Sequence, residues 1–316
     1  METKNLMKVH QSDIFSESEK PFHSSLLNIK RLSPHYHEDS IEIVFCLKGE
    51  INIVAGMQKA HLCEGEVFSI DCEDIHYLYS DMENEVLITD LNINAFQYSP
   101  YLLKNMLFAC ESQHCFPYQQ GAMSDVKDLL LTFALSEFNG GQPSIDSDAA
   151  CRIMYILYRY FNYYTYDNPD DYMNPEMFQR FNRMILYCLE NYKYKITTSQ
   201  VAEHTHISKN YLAQYLRNTP FGNFSSMLKD IRCYKAERLL LTTTMSNNEI
   251  SFACGFSDPK YFYSAFDEWW QCSPHTHRLN YRKYMRQEEN YFEFSADASV
   301  DIIKDQIIRW HVEKTT

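Results

Sequence analysis

Between Leu26 and Ala95 apolar residues recur at every second position in short runs. Ile41, Ile43, Phe45 and Leu47 alternate, a turn follows at Lys48-Gly49-Glu50, and a second run extends from Ile51 to Val54. Gly65-Glu66-Val67-Phe68-Ser69-Ile70 and Val86 to Leu91 continue the series. A two-residue period places alternate side chains on opposite faces of a strand. Short strands at this spacing predict a jelly roll or barrel. From Ser124 the period becomes helical: Val126, Leu129, Leu130, Phe133 and Leu135 precede a break at Gly140-Gly141-Gln142-Pro143. A further helix is expected from about Asp146 to Tyr164, with Ile153, Ile156, Leu157, Tyr160, Phe161 and Tyr164 on one stripe. Such a stripe suits packing against the strands or a dimer interface, and the interface is our expectation.

Tyr166 to Tyr172 is acidic, polar and interrupted by Pro169, which predicts a linker. A helix should run from Pro175 to Asn191. The chain then holds two copies of one pattern. Val201-Ala202 is followed by Ser208, Leu212 and Leu216, and Ile250-Ser251 by Ser257, Phe262 and Phe266. Each copy reads as a short helix, a tight turn, an N-capping serine and a second helix with an i, i+4 apolar pair. That layout is a helix-turn-helix, whose second helix can enter a major groove. Asn223 to Leu241 between the copies reads as one helix. About twenty residues span roughly 30 Å, close to the roughly 34 Å of one DNA turn. After the second copy, residues 287–316 hold three basic and seven acidic residues. Ser299 is the expected cap of a helix with Ile303, Ile307 and Trp310 on one face, docked back onto its own chain.

Charge sharpens this division. The 316 residues carry a net charge of −13, yet residues 180–286 hold 15 Lys/Arg against 8 Asp/Glu, leaving 14 against 34 elsewhere. A basic module on an acidic body suits a localised nucleic-acid contact. The ten cysteines include no CxxC pair, and no secretory signal or apolar run of membrane length is visible. The expectation is buried thiols in a cytoplasmic protein without a membrane segment.

The second copy and its flanks read Arg232-x-x-Lys235-Ala236-x-x-Leu239-Leu240, then Ile250-x4-Gly255-Phe256-Ser257-Asp258-x-x-Tyr261-Phe262-x3-Phe266, then Ser273-Pro274 and Arg278. This spacing resembles the DNA-binding domain of AraC-type transcriptional regulators, over about ninety residues. Ser251 and Gln271 stand where alanine and glycine are usual, and Asp267 and Glu268 where basic residues are common. The resemblance implies base-facing positions at Asn210, Ala213 and Gln214 in the first reading helix, with Lys209 and Arg217 nearby. In the second they fall at Lys260, Tyr263 and Ser264. Phosphate contacts are expected from Arg232, Lys235, Arg217 and Lys193, with pairing of Arg232 and Arg238 to acids inside the module as the alternative.

His35-x-His37-x4-Glu42-x6-Gly49 resembles the first motif of cupins, and Gly65 with His76 part of the second, although Asp71 and Glu73 replace the usual proline and glycine. The likeness implies an effector pocket with His35, Tyr36, His37, Glu42 and His76 as polar groups and Tyr36, Phe45 and Tyr77 as aromatic walls. No cofactor is expected. A metal held by His35, His37, Glu42 and His76 is the less favoured alternative, and structural hydrogen bonding a third.

The expected architecture is α+β: a cupin-like β-barrel or jelly roll with helices (1–122), a helical dimerisation segment (123–166), a linker (167–175), an all-α domain with two helix-turn-helix units (176–286) and an acidic extension (287–316). The expected function is that of a bacterial-type, effector-responsive, non-enzymatic transcription factor. It would be a homodimer on double-stranded DNA, respond to a small molecule such as a sugar, control metabolic, carbohydrate-related genes, and meet RNA polymerase if it activates. The alternatives are a cupin metalloenzyme (dioxygenase or sugar isomerase) and a regulator that answers to a protein partner.

Overall fold

The structure is a computed structural model that describes residues 10–11, 20–56, 58–96, 100–141, 143–163, 175–217, 219 and 221–315. The chain forms two compact units, His10–Tyr163 with Gln287–Thr316, and Tyr164–Arg286 with the first nine residues. The linker expected at 167–175 lies outside the described residues except for Pro175.

In the first unit, nine strands form a nearly closed, mainly antiparallel barrel. They are β1 His10–Gln11, β2 Phe22–Tyr36, β3 Ser40–Lys48, β4 Glu50–Ala55, β5 Gln58–Cys63, β6 Val67–Ile70, β7 His76–Tyr79, β8 Glu85–Asn92 and β9 Asn290–Glu293. The main path is β5-β4-β7-β2-β8-β3-β6, with β1 and β9 added on β2. The alternation read in the sequence sets the faces. Val44 and Cys46 of β3, Val86 and Ile88 of β8, and Leu27 and Ile29 of β2 meet Ile51, Ile53, Phe68 and Leu78 in one core. β2 bonds to β8 over Phe22–Leu27 and to β7 over Arg31–His35, with a register shift between Leu32 and His35. One long strand thereby turns a barrel corner. At the expected β3–β4 turn, Gly49 has φ +78, and a Cβ there would meet the Glu83 carbonyl oxygen at 2.6 Å.

Helix α1 (Pro100–Asn105) precedes α2 (Gln120–Phe138) and α3 (Pro143–Tyr160). Phe133 of α2 stacks on Phe22 of β2 at 4.2 Å. α3 ends four residues short of the expected Tyr164, which lies outside the described residues; Asn162 instead bridges to Phe108. The stripe expected to dimerise is core of this unit: Ile153, Ile156, Leu157 and Phe161 are buried, and Tyr160 is half-buried. The exposed face of α3 carries Cys151, Arg152, Tyr155 and Arg159 instead. Amphipathic spacing reports that a face is covered, and here the unit itself covers it.

The extension returns to the same unit. β9 pairs antiparallel with β2 at Leu27, Asn28 and Ile29. Helix α11 (Ala296–Thr315) packs on α2, where Trp310 Nε1 donates to Asp128 Oδ1 at 2.7 Å and Lys127 lies over the indole ring at 5.0 Å. Ser299 is a buried residue one turn inside α11 rather than its cap. Ser295, just before the helix, accepts from the Ala298 N–H.

The second unit is all helical over its described residues: α4 Pro175–Asn191, α5 Thr198–His204, α6 Lys209–Arg217, α7 Phe224–Thr242, α8 Asn247–Ala253, α9 Pro259–Trp270 and α10 Pro274–Met285. Short polar side chains start these helices. Thr197 with Gln200 and Ser246 with Glu249 form capping boxes on α5 and α8, and Asn223 and Ser273 cap α7 and α10. Asp258 rather than Ser257 caps α9, accepting from the Lys260 N–H at 2.8 Å. The 19 residues of α7 give about 28 Å.

Candidate functional site

Both helix pairs turn on one left-handed residue at the same place in the pattern, His206 (φ +57) and Gly255 (φ +82). In the first, Leu212 and Leu216 are fully buried, which leaves Lys209, Asn210, Gln214 and Arg217 exposed and Ala213 half-buried. In the second, Phe262 and Phe266 are fully buried within a core shared with α7 and α8, and Lys260, Tyr263 and Ser264 face outward. The structure therefore places all the expected base-facing positions, except the half-buried Ala213, on open helix faces. Backbone geometry and packing account for three positions of the second pair. At Gly255 a Cβ would meet the Tyr192 carbonyl oxygen at 2.5 Å. Gln271 adopts φ +52 at the end of α9, which accounts for the usual glycine there. Ser251 fits the alanine site in volume, but its buried hydroxyl finds no hydrogen-bond partner among the described residues.

Arg232 is half-buried on α7 and bonds to backbone carbonyls of its own module. Its Nε donates to the Tyr192 carbonyl at 2.8 Å and a terminal nitrogen to the Tyr194 carbonyl at 2.9 Å. Arg278 does the same for the carbonyls of Leu240 and Met245, each at 2.8 Å. Both guanidiniums bond carbonyls in the last turn of a helix or just beyond it, after α4 for Arg232 and at the end of α7 for Arg278. For Arg232 this follows the alternative of pairing inside the module, with backbone carbonyls in place of acids as the partners. Glu268 is tied to Lys229 of α7 at 2.7 Å, and Asp267 is exposed on the same helix.

The second candidate site lies in the barrel. His35 and His76 are cross-strand partners on β2 and β7, and Glu42 and Asp90 are cross-strand partners on β3 and β8. Glu42 shares its strand face with core residues Val44 and Cys46, and Asp90 with Val86 and Ile88, so the apolar interior ends in a polar cluster. One donor atom from each of His35, His37, Glu42 and His76 falls within 4.8 Å of all the others. The Glu42 Oε2 atom is 3.1 Å from His37 Nε2, 3.5 Å from His76 Nε2 and 3.9 Å from His35 Nε2. Asp90, which no motif indicated, brings Oδ1 to 3.7 Å from His37 Nε2. The expected aromatic walls are absent from this cluster. Tyr36, Phe45 and Tyr77 sit an odd number of positions from His35, Glu42 and His76, and strand alternation directs them to the other face.

The electrostatics of the cluster follow from its burial. Burial opposes charge on His37, but Asp90 and Glu42 outweigh it and raise this imidazole to about 9. Burial and neighbouring His35 lower His76 to about 4. Burial raises Asp90 to about 7 against the pull of His37. Glu42 stays well below the usual carboxylate range in spite of its burial, held there by His76 and by hydrogen bonds from the three imidazoles. Near neutral pH His37 is thus cationic beside an anionic Glu42, and His76 is neutral.

The donor set fits a divalent first-row ion, which takes imidazole nitrogen and carboxylate oxygen readily. His35 Nδ1 donates to the Ser33 carbonyl at 2.8 Å and His76 Nδ1 to the Asp74 carbonyl at 2.9 Å. Such outer bonds orient ligating rings with Nε2 inward. The two Nε2 atoms are then 3.0 Å apart, a separation that requires a shared proton or cation. Glu42 Oε1 and Asp90 Oδ1 are buried without a hydrogen-bond partner among the described residues, so the cluster still has acceptor capacity. The same open acceptors would serve the hydroxyl groups of a small polar ligand.

Comparison with known proteins bears on the helical module. Residues 201–280 match the family model described as a helix-turn-helix domain. The chain is 30% identical over 102 residues to the uncharacterized HTH-type transcriptional regulator YijO of Escherichia coli strain K12, a stretch that makes up 32% of this chain and 36% of YijO. It is 23% identical over 272 residues to another such regulator of that strain, YdiP, covering 84% of this chain and 87% of YdiP. Among solved structures, unsaturated fatty acid-bound ToxT from Vibrio cholerae strain SCE256 aligns with 82% of this chain and 95% of its own, at 12% identity and a TM-score of 0.40. With the paired turns and capped reading helices described above, the chain carries an AraC-type helix-turn-helix domain at residues 201–280.

Proposed function

We propose that the protein is a cytoplasmic transcription factor that binds duplex DNA through α6 and α9 and responds to a small polar effector in the barrel. The observation that carries this reading is the pair of exposed reading faces joined by one 19-residue helix within a basic module. Lys209, Asn210, Ala213, Gln214 and Arg217 supply the first contact, and Lys260, Tyr263 and Ser264 the second. His35, His37, Glu42 and His76 hold the effector. Hydroxyl groups suit these donors and acceptors, which supports a sugar and hence control of carbohydrate-related genes. Activation would add a contact to RNA polymerase. A homodimer would use the exposed face of α3 around Tyr155 in place of the buried stripe.

Selection of bound duplexes from a random pool, followed by salt titration, tests this directly. Specific binding with a log–log salt slope of about −4 to −8 is expected, at roughly −0.9 per phosphate contact. Arg217→Ala should flatten that slope by about one contact, whereas Arg232→Ala should lower stability and leave the slope unchanged. Association that ignores salt, or shows no preference among duplexes, would refute the reading.

A second reading of the barrel site is favoured by the 3.0 Å approach of two imidazole Nε2 atoms: the effector is a divalent cation or binds through one. Metal analysis of protein purified without chelating resin separates the two. Near-stoichiometric zinc, iron, nickel or manganese that is lost in His37→Ala supports the metal. Metal-free protein whose melting temperature rises with a sugar supports the polar pocket.

A further inference from the structure

The DNA-binding module is joined to the barrel unit at both of its ends, and each join is bonded to a strand or loop of the barrel site. At the leading end, Phe161 and Tyr163 hydrogen-bond the segment around Phe108: Ala109 N–H donates to the Phe161 carbonyl at 2.7 Å, and Tyr163 N–H to the Leu107 carbonyl at 2.8 Å. Phe108 N–H in turn donates to both carboxylate oxygens of Asp71, at 3.0 and 3.1 Å. Asp71 directly follows Ile70, the cross-strand partner of Glu42. At the trailing end, four residues separate α10 from β9, and β9 lies on β2, the strand that also carries His35.

A third connection runs through the helices. Asp90 of the site is the cross-strand partner of His23 on β2. His23 Nδ1 lies 2.8 Å from Glu137 Oε1 of α2, and the neighbouring Ser24 N–H donates to Glu137 Oε2 at 2.6 Å. α2 is the helix that holds α11 through Asp128 and Trp310. The site is thus bonded to the extension by two routes, β2 to β9 and Asp90–His23–Glu137 to α2 and α11.

We propose that residues 287–316 are a strap that transmits the state of the barrel site to the helix-turn-helix module, acting mainly on the second helix pair. The proposal rests on the regulator reading above. A module joined at one point reorients about that point, while a second covalent join restricts the orientations available to it. A change of register or bonding in β2 is felt at β9, and β9 is four residues from α10. α10 is packed on α9, where His277 meets the rings of Phe266 and Trp270 at 5.4 and 5.5 Å. The first helix pair lies before α7 in the chain, and α10 packs on α7 as well as on α9, so the strap reaches the first pair less directly than the second. Coupling of this kind requires an element that both sites bias, and β2 with its rider β9 is that element.

The test uses the full chain with a protease recognition sequence inserted between Gln287 and Glu288, both exposed, and cut after folding. Asp90→Asn is the perturbation at the site, and Glu137→Gln replaces it if Asp90→Asn does not fold. Ile51→Val, elsewhere in the barrel core, is the control. Amide hydrogen exchange is followed over residues 290–312, and affinity for the selected duplex is measured before and after cutting. Asp90→Asn should speed exchange of 290–312 by roughly tenfold, with Ile51→Val having little effect there. It should also shift DNA affinity of the uncut chain by at least about fivefold, the lower end of the usual range of allosteric coupling. Cutting should abolish that shift while the extension stays bound to the barrel. Unchanged exchange over 290–312, an equal response to Ile51→Val, no shift in the uncut chain, or the same shift after cutting would each overturn the strap. Failure of every form to select DNA would remove the regulator reading instead, and the exchange results would still judge the strap.

Discussion

The two helix-turn-helix pairs share one backbone plan and divide its duties. The second is the better packed. α9 runs 12 residues, its Phe266 stacks on Trp270 at 4.1 Å, and its turn glycine fits against the end of α4. Its outward groups, however, already have partners: Lys260 lies 3.7 Å from Asp258, and Asn247 donates to the Tyr263 hydroxyl at 3.3 Å. The first is nine residues long, seats two leucines, and turns on a histidine held at positive φ. Its face of Lys209, Asn210, Gln214 and Arg217 includes no acid. Asparagine and glutamine can pair bidentately with adenine, and lysine and arginine reach guanine or phosphate. The contrast teaches that the core and the outward face of such a helix vary independently: the second copy has the aromatic core, and the first has the face of amides and cations without an acid.

The turns give the largest expected effect. Gly255→Ala puts a Cβ against two backbone carbonyls at positive φ, and should destabilise the second pair by roughly 2–4 kcal/mol. His206→Gly relieves the strain in the first pair and should be neutral or stabilising, by up to about 1 kcal/mol. Hydrogen exchange of α8 and α9 against α5 and α6 reads each pair separately. Equal responses would show that the turns are equivalent and would break the comparison.

Much of this was legible in the sequence because it is periodic. The two-residue alternation from Ile41 to Leu47 and the leucine and phenylalanine pairs of α6 and α9 each declare a face, and a face fixes an element. The grouping of His35, His37, Glu42 and His76 was legible only through the resemblance of their spacing to the cupin motifs. What was not legible depends on pairing between distant segments. Asp90 joins the site because β8 lies beside β3 in a register that sets it opposite Glu42. The internal partners of Arg232 are carbonyls, which no side-chain pattern announces. The stripe on α3 was read correctly as a covered face, but only the fold shows that α3 covers it within its own unit. The return of β9 to β2 likewise has no local signature in an acidic tail.

A smaller effect tests the packing of the second pair. Asp230 of α7 accepts from Trp269 Nε1 at 2.9 Å, and burial raises its carboxyl from 3.8 to about 6. A carboxyl whose folded value lies above its unfolded one stabilises in its protonated form, so this contribution is present in acid and is lost as pH rises through about 6. Asp230→Asn keeps an oxygen for the indole and removes the ionisation. The second pair should then melt higher than wild type at pH 7.5 and alike at pH 4. A variant that melts lower at pH 7.5 would show that the carboxylate charge supports the fold.

The central claim, that the first pair carries most of the sequence discrimination, is tested most directly by the information content of the two half-sites in a selected binding-site logo, measured for wild type and for Gln214→Ala and Ser264→Ala. The account predicts a well-defined, A/T-containing first half-site and a looser second one. Gln214→Ala should cost roughly 1–3 kcal/mol at one or two positions of the first half-site, and Ser264→Ala much less. A second half-site with more information than the first, or a Gln214→Ala protein with unchanged preferences, would contradict it.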